Sequence, residues 1–232
     1  MSAMFKKLNK EFFSRDAEIV ARELLGKILV RKIKDANNKI LKTKIVETEA
    51  YYGSEDPASR ACQNGDLRET MLSEAGTILV YGVHNNWLIN FVTNEKGRAE
   101  AVLLRALEPL NFSERCNGPG LLTKAMKIDK SFHNKNIIDN NELWLEENEN
   151  DKDEKNNKKT VNNKIQYKEK NKKYKKPLIK HIENKSNTEF KENSNFKSKN
   201  IEIVEAFRIG VKKDLPQKLR FYIKDNKYVS RR

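Results

Sequence analysis

Cysteine, histidine, proline and glycine are all scarce in this chain. Its 232 residues include two cysteines, three histidines, five prolines and nine glycines. Cys62 and Cys116 cannot build a disulfide framework, nor fill a four-coordinate zinc site by themselves. His84, His133 and His181 show no metal-ligand spacing, so neither a metal nor any other cofactor is expected. Long apolar runs are missing too. None approaches the ~18 residues of a membrane span, and the opening MSAMFKKLNKEFF lacks the apolar stretch of a secretory signal. These absences exclude membrane-embedded and disulfide-stapled classes. They predict a reduced compartment, cytoplasmic (nucleoid-associated) or nuclear, and a chain that is not secreted.

What is abundant is charge. Forty-seven basic side chains against 33 acidic ones give a formal net charge of +14, and the mean hydropathy is −0.84. Such a balance points to a polyanionic partner, nucleic acid first. The charge is unevenly spread. Residues 149–200 hold 16 lysines and 8 acidic residues, +8 of the total, and leave +6 for the remainder. That segment is nearly all Lys, Asn, Glu and Asp, with too few apolar side chains to offset the entropy of ordering. It reads as a disordered insertion, from compositional drift or as a DNA-clamping tail.

Outside it, residues 1–148 and 201–232 read as one mixed domain. Ala17, Val20, Ala21, Leu24 and Leu25 follow helical spacing, with Ser14 or Asp16 as N-cap and Gly26 as the stop. Residues 27–34 (KILVRKIK), a turn at 35–39 and residues 40–50 (ILKTKIVETEA) read as a strand hairpin. Further strands are expected at 77–81, 87–92 and 101–107, a short amphipathic helix in LLTKAMKI, an apolar patch at 142–145, and strands again at 201–209 and 219–223. The fold class is therefore α+β: a mainly antiparallel, curved β core with flanking helices.

Three clusters carry chemistry. In IVETEAYYGSEDP (residues 45–57), strand alternation puts Glu47 and Glu49 on one side and Val46, Thr48 and Ala50 on the other. Carboxylates packed against rings have their pKa raised and suit water activation; an edge strand with solvated acids is the plainer alternative. In YGVHNNWLIN (residues 81–90), Tyr81, His84 and Trp87 offer stacking surfaces and Asn85, Asn86 and Asn90 offer hydrogen bonds, unless Trp87 and Leu88 are core and His84 is an interior histidine. Arg105, in the middle of apolar AVLLRALEP, needs a buried partner such as Glu49 or a bound anion.

Taken in order, ARELLGKILV, VETEAYYGSEDPAS, GTILVYGVHNNWLIN, VLLRALEP, NGPGLLTKAMKI and LRFYIKDNKYVS resemble the alkyladenine (3-methyladenine) DNA glycosylase family of base-excision repair enzymes. The resemblance implies a monofunctional DNA glycosylase, monomeric, that bends duplex DNA and flips a damaged purine into a pocket. It then hydrolyses the N-glycosidic bond and leaves an abasic site. Glu49 and Arg105 match the pair that holds a water against the sugar carbon. Tyr51 and Tyr81 match the residues that stack on opposite faces of the flipped base. Asn90 matches the asparagine that clashes with the amino group of guanine, and His84 the wedge that fills the gap in the duplex. One position departs. Arg60 stands where many relatives have a histidine at the purine edge, and arginine only donates. It would repel a cationic methylated purine, so a shifted lesion preference, or a phosphate contact, is expected of it. A catalytically silent damaged-DNA-binding protein on the same fold is the other reading.

Overall fold

The computed structural model describes residues 6–34, 38–62, 65–148 and 201–231. The insertion at 149–200 and most of the turn at 35–39 lie outside the described residues.

The first helix of any length, Ala17–Leu24, forms as its spacing requires, with Ala17, Val20, Ala21 and Leu24 fully buried. Asp16 rather than Ser14 is the N-cap: its carboxylate accepts the Glu18 N–H at 2.9 Å. The Ala17 N–H goes instead to the buried Glu100 carboxylate at 3.0 Å. Just past the helix Gly26 turns the chain with φ +88°, a left-handed conformation that glycine adopts without strain. The helices are α1 (Lys10–Phe13), α2 (Ala17–Leu24), α3 (Asp66–Met71) and α4 (Pro119–Ala125). α1 and α3 are too short to show a period in the sequence. α4 starts two residues ahead of LLTKAMKI, at Pro119, which fits the first helical turn because it has no N–H to satisfy there.

Among the described residues eight strands follow the expected order: β1 (Ile28–Lys32), β2 (Ile40–Tyr51), β3 (Ile78–Val83), β4 (Asn86–Val92), β5 (Ala101–Pro109), β6 (Leu143–Glu146), β7 (Ile203–Ala206) and β8 (Arg220–Ile223). Every pairing among them is antiparallel. The order across the curved sheet is β3-β4-β5-β2-β1-β6, with β8 joined to β2 and β7 to β8. The α+β expectation is therefore met. The apolar patch at 142–145 is strand β6, and of residues 201–209 only Ile203–Ala206 pair as strand.

β2 is the spine. Its first half pairs with β1, its end pairs with β8, and β5 runs along its other edge. An edge strand with solvated acids is thus overturned: Glu47 and Glu49 are both fully buried in the middle of the sheet. The β2–β5 ladder contains two irregularities. Ile45 pairs with Leu107 and Glu47 with Ala106, which skips Val46; Thr48 then pairs with Leu104, which skips Arg105. Each skipped residue shifts the alternation of its strand. Before Val46, Leu41 and Ile45 face the hydrophobic core; after it, Ala50 does. On β5 the core side passes from Val102 and Leu104 to Leu107. The paired bulges turn Glu47 and Glu49 away from the core side and leave Arg105 unpaired between two strands, free to aim at both.

Candidate active site

Glu49 lies at the centre. Its Oε1 accepts the Ile209 N–H at 2.8 Å, and its Oε2 accepts the Tyr51 hydroxyl at 2.9 Å and Arg105 Nη1 at 3.2 Å. Burial pushes the Glu49 carboxyl up; Arg105 and the hydrogen bonds pull against it without cancelling it. Burial likewise holds the Tyr51 hydroxyl well above its ordinary value, so it donates as a neutral phenol. Arg105 Nη1 also donates to the Ile209 carbonyl at 3.3 Å, and its Nε lies 3.7 Å from Glu47 Oε1.

Above this pair opens a cavity of about 590 Å³, with Tyr51, Arg60, Tyr81, Leu103 and Arg105 in its wall and Lys212 and Lys213 on its exposed rim. A small recess of about 10 Å³ leads inward between Tyr51 and Tyr81, and Asn90 forms part of its lining. Asn90 is buried and donates to the Leu79 carbonyl at 3.1 Å, which fixes its amide. The Arg60 guanidinium lies over the Tyr81 ring, 4.7 Å from its centroid. Arg60 has no hydrogen-bond or ion-pair partner among the described residues.

Tyr51, Arg60, Tyr81 and Arg105 thus line one cavity, Asn90 lines the small recess beside it, and Glu49 lies behind in contact with Tyr51 and Arg105. His84 stands apart. It caps the β3–β4 hairpin, exposed, with φ +46°, followed by Asn85 at φ +60°, while Asn86 Nδ2 donates back to the His84 carbonyl at 2.8 Å. Two consecutive positive φ values are the signature of a tight primed hairpin turn. The reading of His84 as an interior histidine is therefore wrong, because a two-residue hairpin tip projects from the sheet. Trp87, 37% exposed, is not core either.

Several buried charges were not singled out in the sequence. Arg208, fully buried, binds both oxygens of Asp56 at 2.6 and 2.7 Å, binds Asp214, donates to the Ala50 carbonyl at 3.0 Å, and lies 4.5 Å from the centroid of Tyr51. Asp56 in turn accepts the Tyr52 and Ala58 N–H groups. This one guanidinium therefore ties the end of β2, the 53–60 loop and the 207–215 loop into a single wall. Arg220, opposite Glu49 on β8, pairs with Glu47 at 2.7 Å. The signal for Arg220 was available: an arginine inside apolar LRFYI calls for a buried partner as much as Arg105 does.

Among the described residues no three His, Cys, Asp or Glu side chains are grouped to hold a metal ion, and no helix is long and apolar enough to cross a membrane. Cys116 is buried and its thiol pushed up to about 12, mainly by burial, so it is inert.

Comparison with known proteins bears on the same residues. Residues 11–178 match the family described as methylpurine-DNA glycosylase. Among its relatives are proteins named "Putative 3-methyladenine DNA glycosylase". One from Clostridium perfringens (strain 13 / Type A) is 32% identical over 97% of this chain and 100% of its own length. One from Legionella pneumophila (strain Corby) is 34% identical over 97% and 99%. One from Aeropyrum pernix is 44% identical over 55% of this chain and 66% of its own length. The match runs through β2, the β3–β4 hairpin and β5, the elements that carry the buried carboxylate, the two cavity tyrosines and the arginine, and the chain belongs to the methylpurine-DNA glycosylase family, whose members are DNA N-glycosylases.

Proposed function

We propose that the protein is a monofunctional glycosylase that takes alkylated or deaminated purines, the 3-methyladenine class, out of duplex DNA by base flipping and leaves an abasic site. The observation that carries this reading is the Glu49–Arg105 pair, buried at the cavity wall beside a tyrosine whose hydroxyl it holds. Glu49 accepts a proton from the attacking water and offsets the positive charge that develops on the sugar as the C–N bond breaks. Arg105 positions that water and balances the carboxylate. Tyr51 and Tyr81 stack on the two faces of the base, Asn90 excludes the amino group of guanine, and His84 fills the gap in the duplex. No lysine nucleophile is needed, so strand cleavage by β-elimination is not expected. The protein acts as a monomer, where the DNA is.

Arg60 refines the substrate. Its guanidinium lies over the Tyr81 ring in the wall of the cavity that an incoming base would enter. It offers only donors, which suit the oxygen and nitrogen acceptors of a 6-oxopurine edge and oppose a cationic methylpurine. Neutral deaminated purines such as hypoxanthine are therefore favoured over cationic ones.

The test is base release from duplex DNA carrying 3-methyladenine or hypoxanthine, with Glu49→Gln as the control. Release by the wild type that falls by about a thousandfold or more in the variant, as for loss of an essential transition-state charge, supports the reading. Lesion-selective binding without release would make the protein a silent recognition module instead.

A further inference from the structure

The buried charges around Glu49 form an alternating row. Arg220 Nη1 binds Glu47 Oε1 at 2.7 Å; Glu47 Oε1 lies 3.7 Å from Arg105 Nε; Arg105 Nη1 binds Glu49 Oε2 at 3.2 Å. Glu47 is itself clamped. Its Oε2 accepts the Ser230 N–H at 2.7 Å and its Oε1 the Ser230 hydroxyl at 3.0 Å. Arg220 is pinned in turn by the Phe207 and Arg231 carbonyls at 3.1 and 2.9 Å. Glu47 is fully buried and, two residues from Glu49, faces the same side of β2, which the bulge at Val46 turns away from the core. Arg105 Nε is buried without a hydrogen bond, and Glu47 Oε1 is the carboxylate oxygen that faces it, at 3.7 Å.

We propose that Glu47 is a positioning residue for N-glycosidic cleavage: anchored by Arg220 and Ser230, it holds the Nε edge of Arg105 while the Nη1 edge goes to Glu49, so that one guanidinium is shared between two carboxylates. The sharing has a direction. When Glu49 takes up the proton of the attacking water, Arg105 loses its attraction to Glu49, and Glu47 remains as an anionic neighbour shared between Arg105 and Arg220. A buried cation that loses its last partner is strongly destabilised, and Glu47 lessens that cost in the reaction. The proton passes from the attacking water to Glu49, the remaining hydroxyl bonds to the sugar carbon, and the electron pair of the broken C–N bond leaves with the base.

Burial raises the proton affinity of Glu49, and the same row tunes it through Arg105. Its other charged or titratable neighbours are Tyr51 on β2, Arg208 beneath the Tyr51 ring with Asp56 and Asp214, Arg60 and Tyr81 across the cavity, and Lys212 and Lys213 on the rim. Removing the negative charge of Glu47 leaves Arg105 wholly to Glu49 and makes Glu49 more acidic. Removing the positive charge of Arg220 draws Arg105 toward Glu47 and makes Glu49 less acidic. A residue that merely braced the sheet would produce neither shift.

The experiment reads Glu49 directly, by carbon-13 NMR titration of glutamate carboxyls in the free protein. Its signal is assigned by its absence in Glu49→Gln, and the same variants are followed by pH–rate profiles on hypoxanthine DNA. Glu47→Gln should move the Glu49 titration and the acid limb of the profile down by about one pH unit, and Arg220→Gln should move both up by a similar amount. Ser230→Ala, which removes one hydrogen bond on Glu47 and leaves the charges in place, gives a smaller upward shift and serves if a charge variant fails to fold. Folded variants with reduced release and an unmoved Glu49 titration overturn the proposal. The inference rests on Glu49 as the base, but the two fail separately: a wild type that releases no base removes that role, whereas the titration still decides whether Glu47 and Arg220 tune the proton affinity of Glu49.

Discussion

At the scale of single residues, the site is a set of charges placed where water is absent. A carboxylate with no exposed surface is held in place by three donors, one of them the backbone of Ile209. Its proton affinity is set mainly by burial, the arginine acting as the counterweight. Arg60 is the residue where substitution is most informative. Its guanidinium covers a tyrosine face and forms no ion pair among the described residues. Arg60→His replaces a permanent cation by a group that can accept as well as donate. The expected outcome is a shift of preference: release of 3-methyladenine rises about tenfold relative to hypoxanthine, in keeping with one buried hydrogen bond gained or lost. Parallel single-turnover measurements on the lesions check it, and an unchanged ratio removes Arg60 from lesion selection.

At the scale of elements, the bulges in β2 and β5 and the β3–β4 hairpin carry the functional geometry. A strand with strict alternation would place Glu47 and Glu49 on the side where Leu41 and Ile45 meet the core. The skipped Val46 moves them to the other side, and the skipped Arg105 lets that side chain reach between them. The hairpin tip uses His84 at φ +46°, a conformation that costs an L-residue about 1 kcal/mol and glycine almost nothing. His84→Gly is therefore expected to raise stability by up to about 1 kcal/mol while weakening lesion-DNA binding five- to a hundredfold, the worth of a lost stacking contact. Thermal melts beside binding isotherms separate the two effects. A variant that melts higher and binds as before would show that the hairpin does not wedge the duplex.

At the scale of the whole molecule, the residues on either side of 149–200 build one sheet, with β8 laid against β2 and the Arg208 loop closing the cavity. The two ends of the insertion come back to one place. Asn148 donates to the Gly26 carbonyl at 3.2 Å, and the Ile201 side chain packs at the Gly26 Cα. Chain ends that already meet need little chain to join them, and loop length alters closure entropy only logarithmically. Replacing residues 149–200 by a Gly/Ser linker of about six residues is expected to leave the melting temperature and base release unchanged. The salt dependence of DNA affinity then decides the role of the lysines: a shallower slope identifies a DNA-contacting tail, since each neutralised phosphate adds to the slope, and an unchanged slope identifies compositional drift.

Much of this was legible from the chain alone because it depends on local rules. The α2 spacing, the run of strands and the alternation that puts Glu47 beside Glu49 need only periodicity. The buried partner of Arg105 follows from the cost of burying a charge in an apolar strand. The six ordered motifs carry the family. Other features needed the tertiary structure. Whether Glu47 and Glu49 meet water or a core depends on which strands flank β2, and those come from residues far away in the chain. The bulge at Val46 is a property of pairing between two strands and leaves no mark in either one. Asp56 and Arg208 meet across 152 residues, so no spacing could announce them. The sequence by itself determined which side chains were available and which elements carried them. The tertiary structure alone decided which charges share a dry interior, because only burial makes an ion pair strong enough to shape a reaction.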